Sequence, residues 1–195
     1  MAIANGTTTE ITISDLNTAG EHTGAILKDT IAGSAVELTA KEVSGSGTMS
    51  NGTEAGEMFA SGEGVLVYSG VTEDLLGCEV IGIPGGPGVI ETKTLIATTK
   101  GLGDKLKVSP KAGIVLAEFE LKNCIFGTVL TKVVGSVLGD PDGATVNTVH
   151  NTVTADKTVR TNNVATGPVV GIAGTLTISG RSGGSGPYTP LSVTT

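Results

Sequence analysis

Apolar and polar residues alternate with a period of two along most of this chain, and that rhythm constrains the fold more than any other feature. Successive side chains of a strand point to opposite faces, so alternation of this kind builds half-buried strands rather than the apolar stripe of a helix. It runs through TEITIS (9–14), SAVELTAKEV (34–43), GVLVYSGV (64–71), CEVIGI (78–83), GVIETKTLIATT (88–99) and KLKVS (105–109). It resumes in GIVLAEFEL (113–121), IFGTVLTKVVGSV (125–137), ATVNTVHNTVTADKTV (144–159), VVGIAGTLTISG (169–180) and TPLSVTT (189–195). Threonine and valine recur in these segments, and a branched Cβ stiffens χ1 in a way that suits a pleated surface. Glycine-rich punctuation such as IPGGPG, GLGD, GDPDG and GRSGGSGP falls between them and supplies turns. About eleven strands with short loops predict an all-β, antiparallel two-sheet sandwich or a barrel-like variant of it.

One stretch, TAGEHTGAILKDTIAGSAV, places Ile26, Leu27 and Ile31 near helical spacing. Gly20, Gly24 and Gly33 would each cost about 1 kcal/mol inside a helix, so it reads as strand–turn–strand, or at most one short helix. Residues 44–63 are rich in Gly, Ser, Thr and Glu and read as a long connection. They would join an N-terminal β unit (1–43) to the rest of a single β-rich domain spanning 1–195. No repeat of solenoid length is present.

The formal charge of −7 argues against the clustered basic surface that nucleic acid needs, no run of Lys or Arg offers itself to anionic lipid, and acidity keeps a β-rich protein soluble. No run reaches the ~18 apolar residues of a membrane-spanning helix. The N-terminus, MAIANGTTTEITIS, lacks the basic and apolar regions of a signal peptide, so either the protein stays inside the cell or a leader precedes residue 1. Cys78 and Cys124 both sit on strand-like segments. An even count in a β-rich chain favours a bridge between them, with two buried free thiols as the alternative. Such a bridge closes a loop of about 47 residues, worth ~4 kcal/mol in the chain-entropy model.

The candidate chemistry is sparse. GRSGG (180–184) matches a nucleophile elbow centred on Ser182, but no helix pattern and no histidine follow, so it reads as a turn. On a regular strand His150 shares a face with Thr148, Thr152 and Thr154, which makes it a strand histidine. The other histidine, His22, falls in a loop-like segment, and neither has the neighbours of a metal site. Asp140 and Asp142 in GDPDG suit turn chemistry better than a calcium loop. GIPGGPG (82–88) lacks the lysine and helix of a phosphate cradle. Asn5 and Asn51 head glycosylation sequons, and Glu118 and Glu120 read as the wet side of a strand. Three phenylalanines, two tyrosines and no tryptophan leave little for stacking sugars or bases. The sequence asks for no cofactor, no metal and no catalytic residue.

The Asn-Cys pair at 123–124, the PDGAT turn at 141–145 and the Thr/His strand after it resemble a family of uncharacterised secreted actinobacterial β-proteins. So do GIAGTLTISG, the TPLSVTT end and the LLGCEVIG segment, giving a resemblance that covers about residues 63–195. It implies an extracellular or cell-envelope location and brings no catalytic residues with it. The expected function is therefore a non-catalytic structural or interaction protein, with protein partners or self-association. The first alternative is a self-assembling subunit of a filament or virion, in which residues 5–14 pair with a neighbour's edge. The second is a small-ligand or glycan binding module, which would need a concave pocket with convergent polar groups.

Overall fold

The computed structural model describes residues 2–3, 9–31, 34–74, 77–103, 105–125, 127–142, 145–150, 160–161, 171–182, 185–191 and 193–194. Among them there is no helix. The first strands are β1 (Ala2–Ile3), β2 (Thr9–Ser14), β3 (Ala25–Ile31), β4 (Ser34–Ala40), β5 (Glu42–Glu54), β6 (Glu57–Ser69) and β7 (Thr72–Glu73). Next come β8 (Glu79–Gly82), β9 (Gly86–Pro87), β10 (Val89–Glu91), β11 (Leu95–Thr98), β12 (Leu106–Pro110), β13 (Val115–Cys124) and β14 (Gly127–Val134). The chain ends with β15 (Val137–Asp142), β16 (Thr145–His150), β17 (Arg160–Thr161), β18 (Gly171–Ser182), β19 (Thr189–Pro190) and β20 (Val193–Thr194). Three alternating segments divide: 34–43 into β4 and β5, 88–99 into β10 and β11, and 125–137 into β14 and β15.

The larger sheet follows the order β16-β15-β12-β11-β6-β5-β2-β18-β3-β4-β7, with β10 added on β6 and β19 on β18. A smaller sheet runs β17-β14-β13-β8-β9, and β1 pairs with β20. All these ladders are antiparallel, as the alternation predicts. The larger sheet turns back on itself where β16 pairs with β18. It does not close as a simple barrel, because one edge of β18 is shared between β2 and β3 and the sheet forks there.

Residues 44–63 are not a connection. They belong to the long β5–β6 hairpin at the middle of the larger sheet, in register from Glu42↔Ser69 to Glu54↔Glu57. Glycine is needed there for close approach rather than for a loop. A Cβ on Gly47 would lie 2.1 Å from the Glu63 carbonyl oxygen, and one on Gly62 would lie 2.3 Å from that of Thr48. The hairpin turns through Ala55 (φ 51°) and Gly56 (φ 85°), the left-handed pair that a two-residue hairpin loop requires. The N-terminal strand is likewise no free edge. Residues 9–14 of β2 pair with β5 on one side and β18 on the other, so they cannot extend a neighbour's sheet.

The main core cluster joins the two sheets and includes Leu38, Val71, Ile90, Leu95, Leu116, Phe119 and Leu121. A second cluster is centred on Ile11, Met49 and Ala60. From Ala117 to Leu121 of β13 the alternation is regular: Ala117, Phe119 and Leu121 are buried, while Glu118 and Glu120 turn to the other, wetter face. A register irregularity between Leu121 and Cys124, with Asn123 left-handed (φ 58°), then shifts the parity. An odd-to-even change of this kind puts Cys124 on the buried face with Leu121, where it bonds Cys78 across a Cα–Cα distance of 4.5 Å.

Candidate functional site

Two features stand out from the lattice of ladders. The first is a chamber of about 180 Å³ between the two core clusters. The larger sheet contributes Ile11, Leu27, Leu38, Leu66, Tyr68, Leu95 and Ile178, and the smaller one Phe119 and Val133. Its origin lies in composition. Ala25, Ala40, Ala97 and Ala117 line it together with Gly62, Gly64 and Gly174, and a chain with so few aromatics has little to fill the middle. Native interiors are close-packed, so a space of this size between the sheets stands out. Its polar side chains are few. Thr92 Oγ1 accepts the Leu66 amide at 2.9 Å, so it is already engaged. Burial pushes the Tyr68 hydroxyl up to a pKa of about 12. The chamber is concave but apolar, unlike the pocket of convergent polar groups that a glycan site requires.

The second feature is a carboxylate–histidine pair. After β2 the chain makes a compact loop over residues 15–24. Asn17 nucleates it by accepting the amides of Ala19 (2.9 Å) and Glu21 (3.0 Å) on its side-chain oxygen, a local turn that asparagine favours. Asp15 closes it. Its side chain is completely buried and sits 2.6 Å from His22 Nδ1, while its other oxygen accepts the buried Gly24 amide at 2.7 Å. Burial pushes the Asp15 carboxyl up, but the hydrogen bonds from His22 and the backbone outweigh it and hold the group below its usual range. His22 is pushed up by its hydrogen bond to Asp15, which outweighs the opposing effect of burial, and the negative charges of Asp15 and Glu42 each add less. The ionised carboxylate can only accept, so Nδ1–H donates. His22 Nε2 faces the Glu42 carboxylate at 4.0 Å. Sequence reading left His22 in a loop and passed over Asp15. The signal present was an aspartate just after a strand, followed by an asparagine turn.

The other sequence candidates lie apart from one another. Ser182 ends β18 opposite Thr9, still within the ladder with β2. His150 ends β16 opposite Ile172, and residues 151–159, including Thr152 and Thr154, lie outside the described residues. GDPDG is not all turn: Asp140 and Asp142 belong to β15, in register with Asn147 and Thr145, and Asp140 pairs with Lys105. Residues 143–144, between β15 and β16, lie outside the described residues. Asn51 lies on β5, whereas Asn5 is not described. Glu118 sits between Lys132 (3.2 Å) and Lys93 (3.5 Å), and chiefly the Lys132 hydrogen bond holds its carboxyl below the usual range. Glu120 pairs with Lys122 at 3.0 Å.

Among the described residues no group of three or more His, Cys, Asp or Glu stands close enough to hold a metal ion, and no helix is long and apolar enough to cross a membrane. Fold and site together define an antiparallel, disulfide-bridged β-protein of two sheets around an apolar chamber. Compared with family models, curated proteins and solved structures, the chain matches none.

Proposed function

We propose that this chain is a non-catalytic structural or interaction protein of the extracellular space or cell envelope, working through protein partners. The observation that carries the reading is the Cys78–Cys124 bridge, because such bonds persist in oxidising compartments and are rare where thiols are kept reduced. The resemblance of residues 63–195 to secreted actinobacterial proteins supports the same location. The titratable groups near β13 support a scaffold role, since Glu118 and Glu120 are engaged in ion pairs across the strand surface. The test is to produce the protein from its own gene in its source organism, fractionate the cells, and alkylate thiols before and after reduction. Both cysteines should resist alkylation until reduced, in protein recovered from the envelope or medium. A cytosolic protein whose thiols react without reduction overturns the proposal.

One observation favours the alternative of a self-assembling subunit. Ile125, in the β13–β14 turn beside the bridge, is 87% exposed, and packing against a second copy would take its apolar surface out of water. Sedimentation velocity across a hundredfold range of concentration should then show association that Ile125→Lys weakens. A single monomeric species throughout counts against it.

A further inference from the structure

We propose that the chamber between the two core clusters is a binding site for a small, neutral, largely hydrocarbon molecule that carries one hydrogen-bond acceptor, placed against the Tyr68 hydroxyl. The inference is independent of where the protein works. Size sets the first limit. A space of about 180 Å³ is slightly larger than apolar cavities known to take benzene, so it suits roughly seven to nine non-hydrogen atoms and excludes a fatty acid or a sugar chain. Polarity sets the second. Leu38, Leu66, Leu95 and Phe119 on the walls offer nothing to a charge, which would be buried unpaired. Water is a poor occupant for the same reason. Water finds few partners here: among the lining side chains, Thr92 Oγ1 already accepts the Leu66 amide, and the other hydroxyl is that of Tyr68. That hydroxyl supplies the one directional contact, which an acceptor such as a ketone oxygen would complete.

The experiment uses two probes of equal size and different polarity, cyclohexanone and methylcyclohexane, titrated into the intact, disulfide-bonded protein. Methyl NMR follows Ile, Leu and Val resonances. Both probes should shift Leu38 and Leu66 and leave the exposed Leu130 unmoved. Tyr68→Phe should weaken cyclohexanone about fivefold, the worth of one neutral hydrogen bond, and leave methylcyclohexane unchanged. Ala117→Leu, which fills the chamber, should abolish both. If chamber methyls stay still up to the solubility limit of both probes in the wild-type protein, the site does not exist. If Tyr68→Phe weakens the two probes equally, the polar contact is wrong. The wild-type titration decides the first point even should Ala117→Leu fail to fold.

Discussion

Replacing Asp15 by alanine tests most sharply how the start of the larger sheet is held. The carboxylate ties together three pieces of chain: the end of β2, His22, and Gly24 immediately before β3. Alanine removes two hydrogen bonds and leaves the buried Gly24 amide without its acceptor. An orphaned buried amide costs about 1–3 kcal/mol. The His22 contact adds less than a buried ion pair would, because the imidazole is partly exposed and screened. A total near 3 kcal/mol follows, equivalent to a fall in Tm of roughly 6–12 °C for a chain of this length. Asp15→Asn keeps an oxygen for the Gly24 amide but turns an NH2 donor towards His22, so it loses the charge and the His22 bond yet should cost less than alanine. Urea denaturation with the disulfide intact measures both. Alanine within about 0.5 kcal/mol of wild type would refute the reasoning, since the loop would then be held by its backbone alone.

The pair also fixes a pH dependence. Asp15 has a lowered pKa, so its contribution is present above the ordinary carboxyl value of 3.8 and is lost as pH falls through the folded value. His22 has a raised pKa, so its contribution is present below the ordinary imidazole value of 6.5 and is lost as pH rises through the folded value. The margin of wild type over His22→Ala should therefore be greatest between those two values and decline on either side. A margin that grows from pH 6 to pH 9 would show that the pairing is not ionic.

Other perturbations read other parts of the fold. Reduction of Cys78–Cys124, with the thiols then blocked, should lower stability by up to ~4 kcal/mol for a loop of sequence separation 46, measured by the denaturation midpoint. Ala55→Asn should stabilise by about 0.5–1 kcal/mol, because alanine holds a left-handed conformation that asparagine tolerates better; thermal unfolding will show it. Thr131→Val should be neutral or stabilising by about 1 kcal/mol, since the Thr131 hydroxyl is fully buried with no hydrogen-bond partner among the described residues; a loss above that size would reveal a bond it makes.

Sequence alone carried the fold class, because alternation is local: TEITIS is β2 residue for residue, and LAEFEL shows its buried Phe119 and wet glutamates directly. The cysteine pairing was legible as an even count on strand-like segments, though the parity shift at Asn123 that aims Cys124 inward was not. Residues 44–63 misled because glycine is a general sign of a loop. What decides there is how closely Glu63 approaches Gly47 across the hairpin, a distance between residues far apart in the chain. Asp15 and His22 are seven residues apart, yet the burial of Asp15 depends on the packing of β5, whose Val43 carbonyl accepts the Asp15 amide. The chamber was the least legible of all. It is a sum of side-chain volumes over many strands, and no single segment records it.

The same scarcity that hides the chamber from sequence explains how the fold holds together around it. With an aromatic fraction of 3%, the chain cannot fill its centre with rings and relies on length of pairing instead. β5 and β6 share thirteen register pairs, and β18 is paired on both edges, joining β16 to β2 and β3. Glycine serves this arrangement twice, once in the left-handed turns and once where backbones come too close for a Cβ. Long ladders tolerate a poorly filled interior because backbone pairing does not depend on what occupies the space between the sheets. A bridge at Cys78–Cys124 then ties the smaller sheet's β13 to the segment leading into β8, on the side where the ladders are shorter. Stability placed in the walls leaves the middle open to an occupant, which is why the chamber and the glycine-rich hairpin have one physical cause.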